Sequence, residues 1–157
     1  MASFASSRRV SDPRSRRLAA LVDGLTAAHV DGLLITSLPN IRYLTGFSGS
    51  SALLFVSVRD VVLITDFRYQ TQVIGEVGDR ARVSIEPQSL WTGLWQQIAQ
   101  LTNLEVIGFE SGHLLHRDFQ RLLEAGAPHA PRSWGSRCPR SSALKARRTF
   151  AMGTGTP

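Results

Sequence analysis

The chain has 157 residues, 43% hydrophobic and 19% charged, with a single Cys and a formal net charge of +6. A chain of this length buries roughly 70% of its unfolded surface on folding, which excludes wholesale disorder. Cys138 alone excludes a disulfide scaffold, and no run reaches the roughly 20 apolar residues of a membrane-spanning helix. Arg8 and Arg9 are not followed by the apolar core of a signal peptide, so the expected compartment is the cytoplasm and no membrane partner is expected.

The positive charge is not spread over the chain. Residues 1–131 contain twelve Arg and all twelve acids, whereas 132–157 contain five Arg and Lys145 without an acid. Between Leu18 and Pro131 there are seven Arg and eleven acids, so the body is mildly acidic and no nucleic-acid partner is expected. The pattern predicts a disordered arm (1–10), a folded domain (11–131) and a basic, disordered tail (132–157).

Asp12 and Pro13 open a helix whose stripe is Leu18, Leu21, Val22, Leu25 and Ala28, ending near His29. Gly32 to Thr36 reads as a buried strand. Ser37-Leu-Pro-Asn40 is a turn and cap signal, with Asn40 the capping acceptor for a short turn over 41–44 that Gly46 stops. Residues 52–57 and 61–65 form strands joined by the hairpin connection 58–60. A helix follows over 68–77 with Tyr69, Val73, Ile74 and Val77 on one side. Next come a strand at 82–85, a helix at 90–101, a strand at 104–109, and a helix at 114–124 facing inward through Leu115, Phe119, Leu122 and Leu123. Alternation around one hairpin predicts an α/β fold, a mixed sheet flanked by helices on both faces.

Nucleophile chemistry finds little support. Gly46-Phe-Ser-Gly-Ser50 lacks the glycine two residues after Ser48 that a nucleophile elbow needs, and reads as a tight turn. His113 and His116 lie three apart at a helix start without the further ligands of a zinc site. Asp66 and Glu110 both end strands, where α/β folds place ligands. With Asp31 or Asp118 they would form a magnesium-dependent site; the plainer reading makes Asp66 a helix cap.

Two motifs carry a resemblance. The run Asn40-x-x-Tyr43-Leu-Thr-Gly-Phe47, within Thr36 to Ser50, and the segment Asp66-x-Arg68-Tyr69 resemble the amino-terminal domain of the Xaa-Pro peptidase family of aminopeptidase P, prolidase and creatinase. The resemblance covers about Arg16 to Pro131. It implies a ribonuclease-H-like topology and a non-catalytic domain that serves oligomerisation and walls the active site. It implies substrate contacts from Asn40, Tyr43, Phe47, Arg68 and Tyr69, with Asp66 beside them, and no catalytic or metal-binding residue in this chain. On this reading Phe47 presents an aromatic surface on a tight loop, and Arg68 binds a peptide carboxylate or Asp66.

In the family a carboxy-terminal pita-bread domain supplies two Asp, one His and two Glu to two divalent metal ions such as manganese. The expectation is that these 157 residues do not include that domain, so no cofactor is expected here. The expected partners are a second copy or a separate catalytic domain, and proline-containing peptides. A stand-alone binding module of the same fold is the alternative. The tail departs from the family's Leu-Arg-x-x-Lys-like continuation and reads as out-of-frame or truncated translation, in keeping with the G- and C-rich DNA that the whole chain's seventeen Arg to one Lys imply.

Overall fold

The computed structural model describes residues 12–101 and 104–126. The expected arm and the Arg-rich tail, with its out-of-frame reading, lie outside the described residues. The elements run α1 (Pro13–Ala27), β1 (Gly32–Ile35), α2 (Leu38–Thr45), β2 (Ala52–Ser57), β3 (Val61–Asp66), α3 (Gln70–Val77), β4 (Arg82–Glu86), α4 (Leu90–Ala99), β5 (Ile107–Phe109) and α5 (His116–Gly126). Short 3-10 turns at Phe67–Tyr69 and Gly78–Arg80 flank α3.

The five strands make one mixed sheet in the order β4-β3-β2-β1-β5. The meander of β1, β2 and β3 is antiparallel, and β4 and β5 each add in parallel at its two edges. An antiparallel meander extended by a parallel strand beside β1 agrees with the topology the resemblance implies. Four strands therefore point the same way, and the segments after β1, β3, β4 and β5 gather along one edge of the sheet.

Alternation along the strands builds two cores, because successive side chains leave opposite faces. Ile35, Leu54, Val56 and Leu63 join Leu18, Leu21 and Leu25 of α1, Ile41 and Leu44 of α2, and Val73 and Val77 of α3. Leu34, Leu53, Phe55, Val62 and Ile64 join Leu94 and Ile98 of α4 and Leu122 of α5. The sheet is covered on both faces, as the pattern requires. All six residues of β2 are buried, which is why its sequence is continuous rather than alternating.

Local signals set most boundaries. The Asp12 carboxylate accepts from the Arg14 N–H and Pro13 follows at the first helical position. The β2–β3 connection is closed by Ser57, whose N–H and Oγ donate to the Asp60 carbonyl at 2.8 and 2.9 Å. Four expectations need correction. Asn40 is not a cap: α2 begins earlier, at Leu38 after Ser37, and Asn40 lies inside it. Ile74 is 69% exposed because Val73 and Val77 alone meet the core from α3. On α5, Leu115 precedes the helix and Leu123 faces outward, leaving Leu122 and Phe119 to pack. The strand read at 104–109 is ordered as β only from Ile107, since Asp31 Oδ2 takes the N–H groups of Glu105 and Val106 at 2.8 and 2.7 Å.

Candidate functional site

The first motif folds as α2 and the loop after it, and both helix ends are held from a distance. Ser37 makes no side-chain cap. Glu110, the residue after β5, supplies one instead: its Oε2 accepts the Thr36 and Ser37 N–H groups, each at 2.9 Å, and its Oε1 accepts Asn40 Nδ2 at 2.6 Å. A carboxylate there satisfies donors near the helix start and complements the positive end of its dipole. At the other end Arg17 Nη1 donates to the Tyr43 carbonyl at 3.0 Å and Arg80 Nε to the Thr45 carbonyl at 3.1 Å. Cations meet the negative end.

Gly46 takes the left-handed conformation that ends α2, at φ 89°. The chain then turns Phe47 inward, where the ring is buried and meets Tyr69 edge to face with centroids 5.4 Å apart. Gly49 admits this pair, since a Cβ there would lie 2.3 Å from Phe47 Cζ. Ser48 donates to Glu76 through N and Oγ at 2.8 and 2.6 Å, and Ser50 N donates to the Tyr69 hydroxyl at 3.2 Å. Burial pushes the Glu76 carboxyl up, but the Ser48 and Gln72 bonds and the Arg42 charge outweigh it and leave it lowered. The Ser50 bonds likewise lower Tyr69.

The second motif is a cap and an ion pair. Asp66 Oδ1 accepts Arg68 N at 3.0 Å and Nε at 2.9 Å, while Oδ2 accepts Nη2 at 2.7 Å. The Arg68 side-chain bonds hold the Asp66 carboxyl down at about 2, against the opposing effect of burial. The guanidinium lies 5.3 Å from the Tyr69 ring centroid.

The residues singled out in the sequence therefore fall into two groups. Phe47, Arg68 and Tyr69 cluster with Asp66 at the carboxyl end of β3. Asn40 stands at the carboxyl ends of β1 and β5, and Tyr43 lies outside on α2, 49% exposed beneath the Arg17 guanidinium at 3.9 Å. The expected aromatic surface at Phe47 is corrected: the ring is part of the core because the Gly46 turn points it back under Tyr69. Glu110 as partner of Asn40, and Glu76 as partner of Ser48, were missed. Both join residues far apart in sequence, and only a carboxylate just past a strand hinted at Glu110.

The magnesium constellation does not assemble. Asp66 and Glu110 end strands on the same edge, but β2 and β1 lie between them, a separation of roughly 14 Å at ordinary strand spacing. Asp31 sits at the opposite edge, before β1, and binds the backbone ahead of β5. Asp66 is engaged by Arg68 and Glu110 by amide donors, so neither carboxylate is left open for a magnesium ion. Among the described residues no three His, Cys, Asp or Glu are grouped to hold a metal ion, and no helix is long and apolar enough to cross a membrane.

A mixed five-stranded sheet carrying these two motifs at its carboxyl edge defines a creatinase-type amino-terminal domain. Residues 17–131 match the Creatinase/Prolidase N-terminal domain family, and the chain belongs to it. Solved structures agree. The amino-terminal domain of a metallopeptidase described as putative, from Corynebacterium diphtheriae, is 27% identical with a TM-score of 0.65, covering 75% of this chain and 92% of that one. The amino-terminal domain of the cytoplasmic peptidase PepQ from Mycobacterium tuberculosis is 35% identical with a TM-score of 0.62, covering 73% and 85%. An Xaa-Pro dipeptidase from Bacillus anthracis is 25% identical with a TM-score of 0.62, covering 71% of this chain and 30% of its own. A curated relative, the uncharacterized peptidase YqhT of Bacillus subtilis (strain 168), is 54% identical over 43 residues, 27% of this chain and 12% of that protein.

Proposed function

We propose that this chain is the non-catalytic amino-terminal domain of an Xaa-Pro metallopeptidase, serving association and walling the site where a catalytic domain cleaves proline-containing peptides. The observation that carries this reading is the span of the match. The fold covers 92% and 85% of two isolated amino-terminal domains but 30% of the dipeptidase chain. The two metal ions belong, on this reading, to the catalytic domain. The neighbour described as a cytoplasmic peptidase supports a cytoplasmic setting.

Asn40, Tyr43, Arg68 and Tyr69 are the residues proposed to line the substrate side, with Phe47, buried in the core, backing Tyr69 from beneath. Tyr43 and Arg68 are exposed and reach it directly, with Nη1 of Arg68 available for a peptide carboxylate; Asn40, Phe47 and Tyr69 position them. The test is heteronuclear NMR of the chain titrated with an Xaa-Pro dipeptide, beside a turnover assay with manganese added. The expected result is no cleavage and amide shifts centred on residues 40–50 and 66–72. Cleavage that survives purification and is lost in Asp66→Asn or Glu110→Gln overturns the non-catalytic reading, and shifts confined elsewhere overturn the substrate-facing assignment.

A further inference from the structure

The start of α4 and the second half of α5 meet around an open cavity of about 490 Å³, lined by Gln88, Ser89, Leu90, Trp91, Arg121 and Glu124. It lies on the opposite face of the sheet from Phe47 and Tyr69, which pack on the other core. One wall is apolar and fixed. Leu90 and Trp91 are half-buried: their inner edges pack on the core beneath α4 and α5, and the rest of each side chain faces the cavity. Trp95 Nε1 donates to the Leu122 carbonyl at 2.6 Å and ties the two helices together beside it.

The charged groups opposite this wall are not spent on the protein. Arg121 and Glu124, three positions apart on α5, are neighbours on the helix surface, yet they form no ion pair with each other. Arg121 Nη1 turns back to Asp118 at a long 3.4 Å, and its Nε and Nη2 take no acceptor among the described residues. Glu124 and the Gln88 amide likewise have no hydrogen-bond partner among the described residues. The carboxylates of Asp12, Asp60, Asp66, Glu76 and Glu110, by contrast, are each engaged by a side-chain donor.

We propose that this cavity binds a free α-amino acid with an apolar side chain. Such a molecule carries a carboxylate, an ammonium group and an apolar body on one carbon. The Nε and Nη2 of Arg121 form a fork that takes the carboxylate in two parallel bonds. Glu124 accepts the ammonium, Gln88 and Ser89 line the polar side, and the side chain lies on Leu90 and Trp91. Opposite charges side by side select a zwitterion, because a simple anion or cation would meet one like charge. An extended peptide gains about 3.3–3.6 Å per residue, so beyond one or two residues its termini outrun the roughly 5–6 Å between neighbouring helix positions. Both charges are exposed, which sets the affinity low, with Kd on the order of 1 mM. The binding stands on this geometry alone; a role in sensing amino acids released by peptide cleavage rests on the function proposed above.

Heteronuclear NMR of the full chain titrated with L-leucine tests it. The expected result is saturable shifts at residues 88–91 and 121–124, including the Trp91 indole N–H. L-leucinamide, which lacks the carboxylate, and N-acetyl-L-leucine, which lacks the ammonium, are expected to bind at least about fivefold more weakly. L-leucine is expected to lose the same factor, about fivefold, with Arg121→Gln or Glu124→Gln. Both side chains are exposed, so each variant keeps the wild-type spectrum elsewhere. Absence of shifts at these positions up to about 20 mM L-leucine overturns the proposal. Equal binding of L-leucine and its two blocked analogues, or binding unchanged in either variant, overturns it as well. The domain's proposed role is read separately, by the Xaa-Pro dipeptide at residues 40–50 and 66–72 and by the turnover assay.

Discussion

Glu110 and Asn40, seventy positions apart in the chain, meet at 2.6 Å across the carboxyl ends of β5 and β1. The same carboxylate accepts the Thr36 and Ser37 N–H groups. One side chain thus fixes where α2 begins and how Asn40 is turned. Hydrogen bonds to a charged group are each worth about 1.5–3 kcal/mol, and the amides left behind would be partly buried. Glu110→Ala is expected to destabilise the domain by about 2–4 kcal/mol on that basis, read from urea unfolding. Asn40→Asp places two carboxylates in contact and should cost stability at neutral pH that acidification restores. A flat pH response in that variant would show that the contact is absent in solution.

The pair at Asp66 predicts a pH window. Its folded pKa of about 2 lies below the ordinary carboxylate value, with the Arg68 bonds as the largest cause. The pair's stabilisation is therefore fully present above the unfolded pKa and is lost as pH falls from about 4 toward 2. Asp12, lowered first by the Arg14 N–H, and Glu76, lowered by its Ser48 and Gln72 bonds, act in the same direction. Melting temperature measured against pH should fall in this range for the wild type, with a shallower slope in Asp66→Asn. Equal slopes in the two proteins would remove Arg68 from the account.

Phe47 decides between two roles for the first motif. Its ring is buried against Tyr69 and within the core formed by α1, α2 and α3. Phe47→Ala is expected to destabilise by about 3–5 kcal/mol, and Phe47→Leu by less, as for other buried aromatic truncations. Chemical denaturation of the purified variants gives the number. A loss within about 0.5 kcal/mol, ordinary for surface positions, would return Phe47 to the surface role.

The distinction between near and far explains what the sequence disclosed. Helix α1 was legible through Asp12, Pro13 and the Leu18, Leu21, Leu25 stripe, because caps and periodicity act within a few residues. The β2–β3 hairpin was legible for the same reason. The position of Asn40 was not, since its partner Glu110 is chosen by strand order, and no local pattern states that β5 lies beside β1. Ile74 and Leu123 were misplaced because an apolar side chain satisfies a helical stripe equally well at its margin. Phe47 was misread because the direction of a loop side chain depends on the left-handed turn at Gly46. The clustering of Arg68 and Tyr69 with Asp66 is carried within four consecutive positions, and there a cap and an ion pair are local chemistry.

Gly93 and Gly75 form a matched pair of probes, both inside helices and both replaceable by alanine. In a helix interior, glycine to alanine gains about 0.8–1.0 kcal/mol from propensity alone. At Gly75 nothing stands within 4 Å of the new methyl group, so Gly75→Ala should stabilise the fold by nearly that amount. At Gly93 the methyl carbon would lie 2.2 Å from Glu86 Cγ and 2.3 Å from Cδ. Glu86 is half-buried there between β4 and α4 and accepts from Ser84 Oγ at 2.8 Å, so it is not free to withdraw without losing that bond. Overpacking of this kind costs about 1–3 kcal/mol, and Gly93→Ala should therefore destabilise in spite of its propensity gain. Glu86→Ala combined with Gly93→Ala should recover stability relative to Gly93→Ala alone, since the clash is then gone. Denaturation midpoints of the four proteins complete a double-mutant cycle. A cycle with no coupling would mean that Glu86 and Gly93 do not touch, and would undo the packing of α4 on β4 as described.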